Sequence, residues 1–265
     1  MHYRLIFLLI IVLLSCRKKE EYAAVKIIGH AATGLKSPGA VFHDNSGEAI
    51  EMALETYGCD GVELDVQMSL TGSLWLFHDP KMSDETTEKG CIGTKSDIDL
   101  SEITYKSFHR EKILALRNIS FKRLKNKTLM LDLRHYNYCT QTMVPVANMV
   151  DSLLSVPQLQ SGEIEVLVLL STTSWFPYFA NTPFQVIYGD ADYEKAWEVL
   201  SVQDFDGVMI KNSQISREQV ASLKSAGKKV IIFEVRSPKG IRSALKKQPD
   251  YLVTDDLRAT IIEKY

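Results

Sequence analysis

The chain has 265 residues, of which 45% are hydrophobic and 24% charged, an ordinary globular composition with apolar material for one large core. Lys and Arg total 31 against 33 Asp and Glu, so the formal net charge is −2 and the chain lacks the global basic field that nucleic-acid binding requires. Nucleic acid is therefore not an expected partner.

At the N-terminus, Leu5 to Leu14 is an unbroken apolar run after a short polar start. It is shorter than the about 20 residues that span a bilayer and has the length of a signal-peptide core. The run ends Leu13-Leu14-Ser15-Cys16, which resembles the lipobox of bacterial lipoproteins, where the cysteine is acylated and becomes the first mature residue. The sequence thus divides into a lipoprotein signal peptide at 1–15, a tether at 16–24 and one folded domain at 25–265. Acyl chains on Cys16 would hold the protein to the membrane of a bacterial cell envelope, on the periplasmic side or the outer surface. An uncleaved anchor helix is the alternative. The other cysteines, Cys59, Cys91 and Cys139, form an odd, widely spaced trio that suggests neither a disulfide framework nor a zinc site. Cys59 reads as a small buried residue.

From Val25 onward, short β-branched runs alternate with amphipathic stretches, the pattern of βα units on a parallel sheet. The strand candidates are Val25–His30, Gly61–Met68, Thr128–His135, Ile164–Ser171, Phe184–Tyr188, Gly207–Lys211, Lys229–Val235 and Tyr251–Thr254. Between them, Thr140–Ser155 carries apolar residues at helical spacing. Ser216 to Gln219 can form a capping box, with Gly227 ending that helix, and Ser237-Pro238 offers an N-cap and an N1 proline. Eight such units predict a (β/α)8 TIM barrel, with a doubly wound open sheet as the alternative. Ser73–Asp79 is an extra extended run, and Pro80 to about Lys127 has no long helical period. This stretch reads as an insertion between barrel strands 2 and 3.

In Gly61-Val62-Glu63-Leu64-Asp65-Val66, period-2 geometry turns Val62, Leu64 and Val66 toward the helices and Glu63 with Asp65 toward the barrel interior. Two interior carboxylates repel each other and need a counter-charge, from a basic side chain or from a hard cation. The third strand candidate adds Asp132, with Arg134 on the same face, and a third inward acid favours an oxygen-ligand site for Mg²⁺ or Ca²⁺. His30 closes the first strand and His78 closes the extra extended run, so two imidazoles stand where an acid–base pair would.

Together, Gly29-His30, Asn45-Ser46 before a helix, Gly61 to Val66, Phe77-His78-Asp79, Thr86-Thr87, Asp132-Leu133-Arg134 and Thr254-Asp255 resemble the ordered motifs of the glycerophosphodiester phosphodiesterases. The resemblance spans nearly all of Val25–Leu257. It implies a TIM barrel that cleaves small-molecule glycerophosphodiesters to an alcohol and glycerol 3-phosphate. It also implies a divalent cation on Glu63, Asp65 and Asp132 and acid–base catalysis by His30 and His78.

The chain departs from the family at several points. His30-Ala31-Ala32 stands where the family has His-Arg-Gly, and His43-Asp44-Asn45-Ser46 where it has Pro-Glu-Asn-Thr. Asp132 replaces a glutamate and Arg134 a lysine, and Phe233-Glu234-Val235-Arg236 replaces Trp-Thr-Val-Asn. Arg134 is expected to hold a substrate phosphate and partly replace the cation lost at Ala31, with Asp44 and Arg236 as further substrate contacts. Arg236 could instead pair with Glu234, and Arg134 could serve only to neutralise the acids. Phospholipase D- or phosphatidylinositol phospholipase C-like action on intact lipid is an alternative, as is a catalytically weak surface binding lipoprotein, motivated by Ala31.

Overall fold

The computed structural model describes residues 22–37 and 39–265, with the backbone alone at 190 and 191. The expected signal peptide, Cys16 and the tether up to residue 21 lie outside the described residues. Tyr22, within the expected tether, is buried against the core. Among the described residues no helix is long and apolar enough to cross a membrane.

The strands in chain order are β1 (Lys26–Gly29), β2 (Gly61–Met68), β3 (Leu74–Leu76), β4 (Leu114–Ala115), β5 (Thr128–Leu133), β6 (Tyr136–Asn137), β7 (Thr142–Met143), β8 (Glu165–Leu170), β9 (Gln185–Ala191), β10 (Gly207–Lys211), β11 (Lys229–Val235) and β12 (Tyr251–Thr254). Eight of them pair in parallel in the order β1-β12-β11-β10-β9-β8-β5-β2, and β1 also pairs with β2, which closes the barrel. Every strand candidate corresponds to one barrel strand: four coincide with it at both ends, and the other four have ends shifted by one to three residues.

Alternation along the strands sorts the apolar side chains into two cores. Val62, Leu64, Val66, Leu129, Leu131 and Leu133 join the layer between sheet and helices. Ile28, Met130, Leu167, Ile187, Met209, Ile231 and Val253 fill the barrel itself. Helix Gly47–Glu55 is capped by Ser46, whose side chain accepts from Ala49 N. Ser216 and Gln219 form the capping box of helix Arg217–Ser225, and Ser237 caps helix Pro238–Lys247.

The chain between β2 and β5 carries β3, antiparallel to β2, and β4, antiparallel to β3. It folds over its own small core of Trp75, Phe77, Met82, Ile92, Leu100, Ile103, Tyr105, Ile113 and Ala115.

Two expectations fail here. The helix expected over Thr140–Ser155 spans only Val146–Leu154, because Thr142–Met143 pairs antiparallel with Tyr136–Asn137 and Pro145 disfavours helical backbone at the residue before it. Cys91 and Cys139 form a disulfide with Cα atoms 5.9 Å apart, which ties this hairpin to the segment between β2 and β5. Cys59 is free and buried.

The N-terminal end of the barrel is closed by a polar plug. Glu165 accepts from Lys26 Nζ at 2.6 Å, Thr128 Oγ1 at 2.7 Å and Tyr251 OH at 2.6 Å, all from residues that begin barrel strands. Burial works against its charge, but these hydrogen bonds and the Lys26 ammonium outweigh it and hold the carboxyl well below the ordinary value, at about 2. A depressed carboxylate stabilises the fold above its ordinary pKa and loses that contribution as pH falls toward the folded value. Glu165→Gln should therefore cost roughly 1–3 kcal/mol at pH 7. Urea unfolding should show that gap closing between about pH 5 and pH 2. A gap independent of pH would contradict this role for the charge.

Candidate active site

Glu63 and Asp65 on β2 and Asp132 near the C-terminal end of β5 are the acids. Asp65 and Asp132 are register partners, and Glu63 lies two residues earlier on the same face of β2 as Asp65. One carboxylate oxygen from each of the three lies within 4.8 Å of the others. Glu63 and Asp65 are 2% and 1% exposed, so their mutual repulsion is hardly screened by water. Burial and the Asp65 charge push the Glu63 carboxyl up to about 8. Burial also raises Asp132, although Arg134 opposes it. Asp65 is held below its ordinary value: burial is outweighed by the charges of Arg134 and His78 and by a hydrogen bond from Asn45. Three oxygen donors on one rigid patch with excess negative charge suit a hard divalent cation such as Mg²⁺ or Ca²⁺.

The acids are oriented by their neighbours. Asn45 adopts a left-handed backbone (φ 56°), which asparagine tolerates, and clamps Asp65 from both sides. Its Nδ2 donates to Asp65 Oδ2 at 2.8 Å, and its Oδ1 accepts from Asp65 N at 3.0 Å. Glu63 Oε2 accepts from Ala31 N at 2.9 Å. Ala31 and Ala32 both have positive φ, 43° and 81°, so the turn after β1 carries backbone strain that glycine would avoid. At Gly29 a side chain is impossible, because its Cβ would collide with the Ala32 carbonyl.

Each expected catalytic histidine is fixed by an aspartate. His30 Nδ1 donates to Asp255 Oδ1 at 2.7 Å and His78 Nδ1 to Asp79 Oδ1 at 2.7 Å. His30 Nε2 lies 3.8 Å from Glu63 Oε2. Burial disfavours the His30 imidazolium, but the hydrogen bond to Asp255 and the Glu63 and Asp255 charges outweigh it and raise the pKa to about 9. Asp79 is anchored in turn, by Lys36 Nζ at 2.9 Å from both carboxylate oxygens. Gln67 Nε2 donates to the Phe77 and Asp79 carbonyls at 2.9 Å, which secures the His78 segment on β2.

A cavity of about 460 Å³ opens above these groups, and His30, Glu63, His78, Asp132, Arg134 and Arg236 are among its lining residues. The Arg134 guanidinium pairs with Asp65 and lies 3.2 Å from Asp132 Oδ2, so it neutralises the acids from the cavity side. Arg236 does not pair with Glu234; its Nε donates to Asp255 Oδ2 at 2.9 Å, and Glu234 lies 3.9 Å from Lys211 Nζ. Asp44 is not among the cavity-lining residues. It is buried, and its Oδ2 accepts from Lys36 N at 2.9 Å.

Sequence reasoning assigned no role to Asp255, Asp79, His135 or Ser171. Asp255 could have been found from barrel closure, since Thr254 is the register partner of Gly29 and the next residue of each strand must meet. His135 Nδ1 and Ser171 Oγ are hydrogen-bonded at 2.9 Å on the cavity wall, and no sequence signal marked that pair.

A profile described as the glycerophosphoryl diester phosphodiesterase family matches residues 34–160. No curated protein matches the chain. Among solved structures, a phosphodiesterase from Oleispira antarctica in complex with the product sn-glycerol-3-phosphate is 20% identical, with a TM-score of 0.73 over 92% of this chain and 98% of that one. A glycerophosphodiester phosphodiesterase from Agrobacterium tumefaciens is 17% identical, with a TM-score of 0.71 over 91% and 99%. One from Parabacteroides distasonis is 20% identical, with a TM-score of 0.67 over 91% and 97%. At these identities the structures are similar in fold.

The Asp255 contact has a direct spectroscopic consequence. In chelator-treated protein the His30 imidazole should titrate near 9, and Asp255→Asn should bring it toward the ordinary histidine value of ~6.5, because burial then meets less opposition. NMR titration of the ring protons measures this. An unchanged His30 titration in the variant would show that Asp255 does not hold the imidazolium.

Proposed function

We propose, from the premise that the chain belongs to the glycerophosphoryl diester phosphodiesterase family and is a phosphoric diester hydrolase, that it cleaves glycerophosphodiesters to an alcohol and sn-glycerol 3-phosphate. The observation that carries this reading is the convergence of two aspartate-held imidazoles and three carboxylates on one cavity. The product named for the Oleispira antarctica structure supplies the substrate class.

The residues divide the work in a way that elementary chemistry requires. Glu63, Asp65 and Asp132 would hold a divalent cation, whose positive charge offsets the charge that builds on the phosphoryl oxygens. The two histidines face the same cavity with Nδ1 tied to a carboxylate, which leaves Nε2 of each for proton transfer. One would take a proton from the attacking water as its oxygen bonds to phosphorus, and the other would give a proton to the alkoxide whose bond to phosphorus breaks, which leaves glycerol 3-phosphate. Arg134 and Arg236 bring guanidinium groups to the cavity wall, where Ala31 supplies none. Arg134, whose Nη2 is taken by Asp65 and Asp132, would offer a phosphate oxygen its remaining guanidinium N–H groups.

This reading extends to location. Acylation at Cys16 would anchor the enzyme in the cell envelope, and the Cys91–Cys139 bridge supports an oxidising compartment, where disulfides persist. Cys16→Ser should abolish partitioning of the processed protein into a detergent phase. Retention of a cleaved mutant at the membrane would count against the anchor.

Activity against a panel of glycerophosphodiesters tests the chemistry. Chelation should abolish turnover and Mg²⁺ or Ca²⁺ should restore it. His30→Ala and His78→Ala should each lower turnover of substrates with poor leaving groups by about a hundredfold or more. Full turnover in chelator by ion-free protein would overturn the cation's role. Near-normal rates in both histidine variants would overturn the acid–base pair.

A further inference from the structure

A second group of ionisable side chains lies beside the cavity, beyond Asp79. Asp44, Asp79 and Glu85 are 5%, 7% and 8% exposed. The Lys36 ammonium, which reaches them from the surface, lies 2.9 Å from both Asp79 oxygens and 3.5 Å from Glu85 Oε1. Neither carboxylate oxygen of Glu85 takes a hydrogen bond, nor does Asp44 Oδ1, although all three atoms are shut off from solvent. A carboxylate stripped of water and left without donors is strongly disfavoured unless a positive charge or a proton replaces its hydration. Burial and the charges of Asp44 and Asp79 accordingly push Glu85 up to about 7.

The imidazole of His43 completes the cluster. It stacks on Tyr105 with ring centroids 3.7 Å apart, and its Nδ1 lies 3.3 Å from Asp44 Oδ1 and 3.0 Å from the Asp44 carbonyl. A ring nitrogen of His43 and one oxygen each of Asp44 and Glu85 lie within 4.8 Å of one another. Glu85 also belongs to a second group of the same size with His78 and Asp79. Glu85, whose Oε1 has only the Lys36 ammonium at 3.5 Å and whose Oε2 has no hydrogen bond, is therefore shared between two places where ligand atoms converge.

We propose that His43, Asp44 and Glu85 form a second divalent-cation site, separate from the Glu63, Asp65 and Asp132 centre. One nitrogen and two carboxylate donors suit a borderline ion such as Mn²⁺ or Zn²⁺, whereas three carboxylates suit Mg²⁺ or Ca²⁺. Such an ion adds to the charge that the Lys36 ammonium offers Glu85 from 3.5 Å, while Lys36 keeps its hydrogen bonds to Asp79. The Asp79 carboxylate also holds His78, so the site would brace one wall of the catalytic cavity. The inference does not depend on the activity proposed above, because it concerns ligands outside that centre.

Metal content of the full protein, stripped with chelator, saturated with Mn²⁺ and dialysed against Mg²⁺, tests the proposal by elemental analysis. The wild type should retain one Mn²⁺ per chain in the presence of Mg²⁺. Glu85→Gln and Asp44→Asn should each lose it, and Glu63→Gln should keep it. Circular dichroism would establish that the variants are folded. Independently of any variant, anomalous scattering from Mn²⁺-soaked wild-type crystals should place a peak between Glu85 and Asp44. Absence of that peak, or full Mn²⁺ retention by folded Glu85→Gln, would overturn the site and leave Glu85 as a buried protonated acid.

Discussion

Three carboxylates packed onto adjacent strands inside a barrel repel one another, and most of the surrounding structure answers that repulsion. Glu63 and Asp65 are nearly inaccessible to water, and Asp132 is the register partner of Asp65 on the next strand. Each acid is met by a donor or a cation. Ala31 N reaches Glu63, the Asn45 amide clamps Asp65, and the Arg134 guanidinium lies against Asp65 and Asp132. The strained alanines after β1 belong to the same arrangement, since the turn that aims Ala31 N at Glu63 requires left-handed backbone. A patch held this rigidly has its ligand oxygens placed before any ion arrives, which reduces the reorganisation that binding would otherwise require.

The fold then brings acid–base groups to the patch from distant parts of the sequence. Pairing of β1 with β12 sets Asp255 beside His30, across 225 residues of chain. The antiparallel run of β3 along β2 delivers His78 to the opposite side, and Gln67 pins that segment to the strand bearing the acids. The disulfide adds a covalent tie between the segment that follows His78 and the hairpin that follows Arg134. Both flanks of the cavity are therefore restrained by links that do not pass through the barrel strands.

The barrel was legible because parallel strands impose simple periodicities. Gly61–Met68 alternates apolar residues with inward polar ones, so the facing of Glu63 and Asp65 follows from geometry alone. Gly207–Lys211 and Tyr251–Thr254 are short apolar runs with clear turns on either side. The helix start at Thr140 was not legible, because an apolar spacing continues into residues whose backbone is taken by a hairpin. The Cys91–Cys139 bridge spans 48 residues and depends on how two loops meet, which spacing does not encode. Arg236 and Asp44 illustrate the same limit for the site. Their positions place both near the cavity, but side-chain partners decide their roles, and these are Asp255 for Arg236 and Lys36 with His43 for Asp44.

If repulsion among Glu63, Asp65 and Asp132 is the constraint that a cation relieves, stability itself should report it. The most direct measurement is the unfolding free energy of the wild type and of the triple amide variant Glu63→Gln, Asp65→Asn, Asp132→Asn, with and without Ca²⁺. Calcium at a hundred times its dissociation constant should stabilise the wild type by about 2.7 kcal/mol and leave the variant nearly unchanged. Without calcium, Glu63→Gln alone should be at least as stable as the wild type, because its neutral amide no longer repels Asp65, whose own charge stays paired with Arg134. A wild type indifferent to calcium, Mg²⁺ and Mn²⁺ alike, and more stable than Glu63→Gln in chelator, would contradict the account.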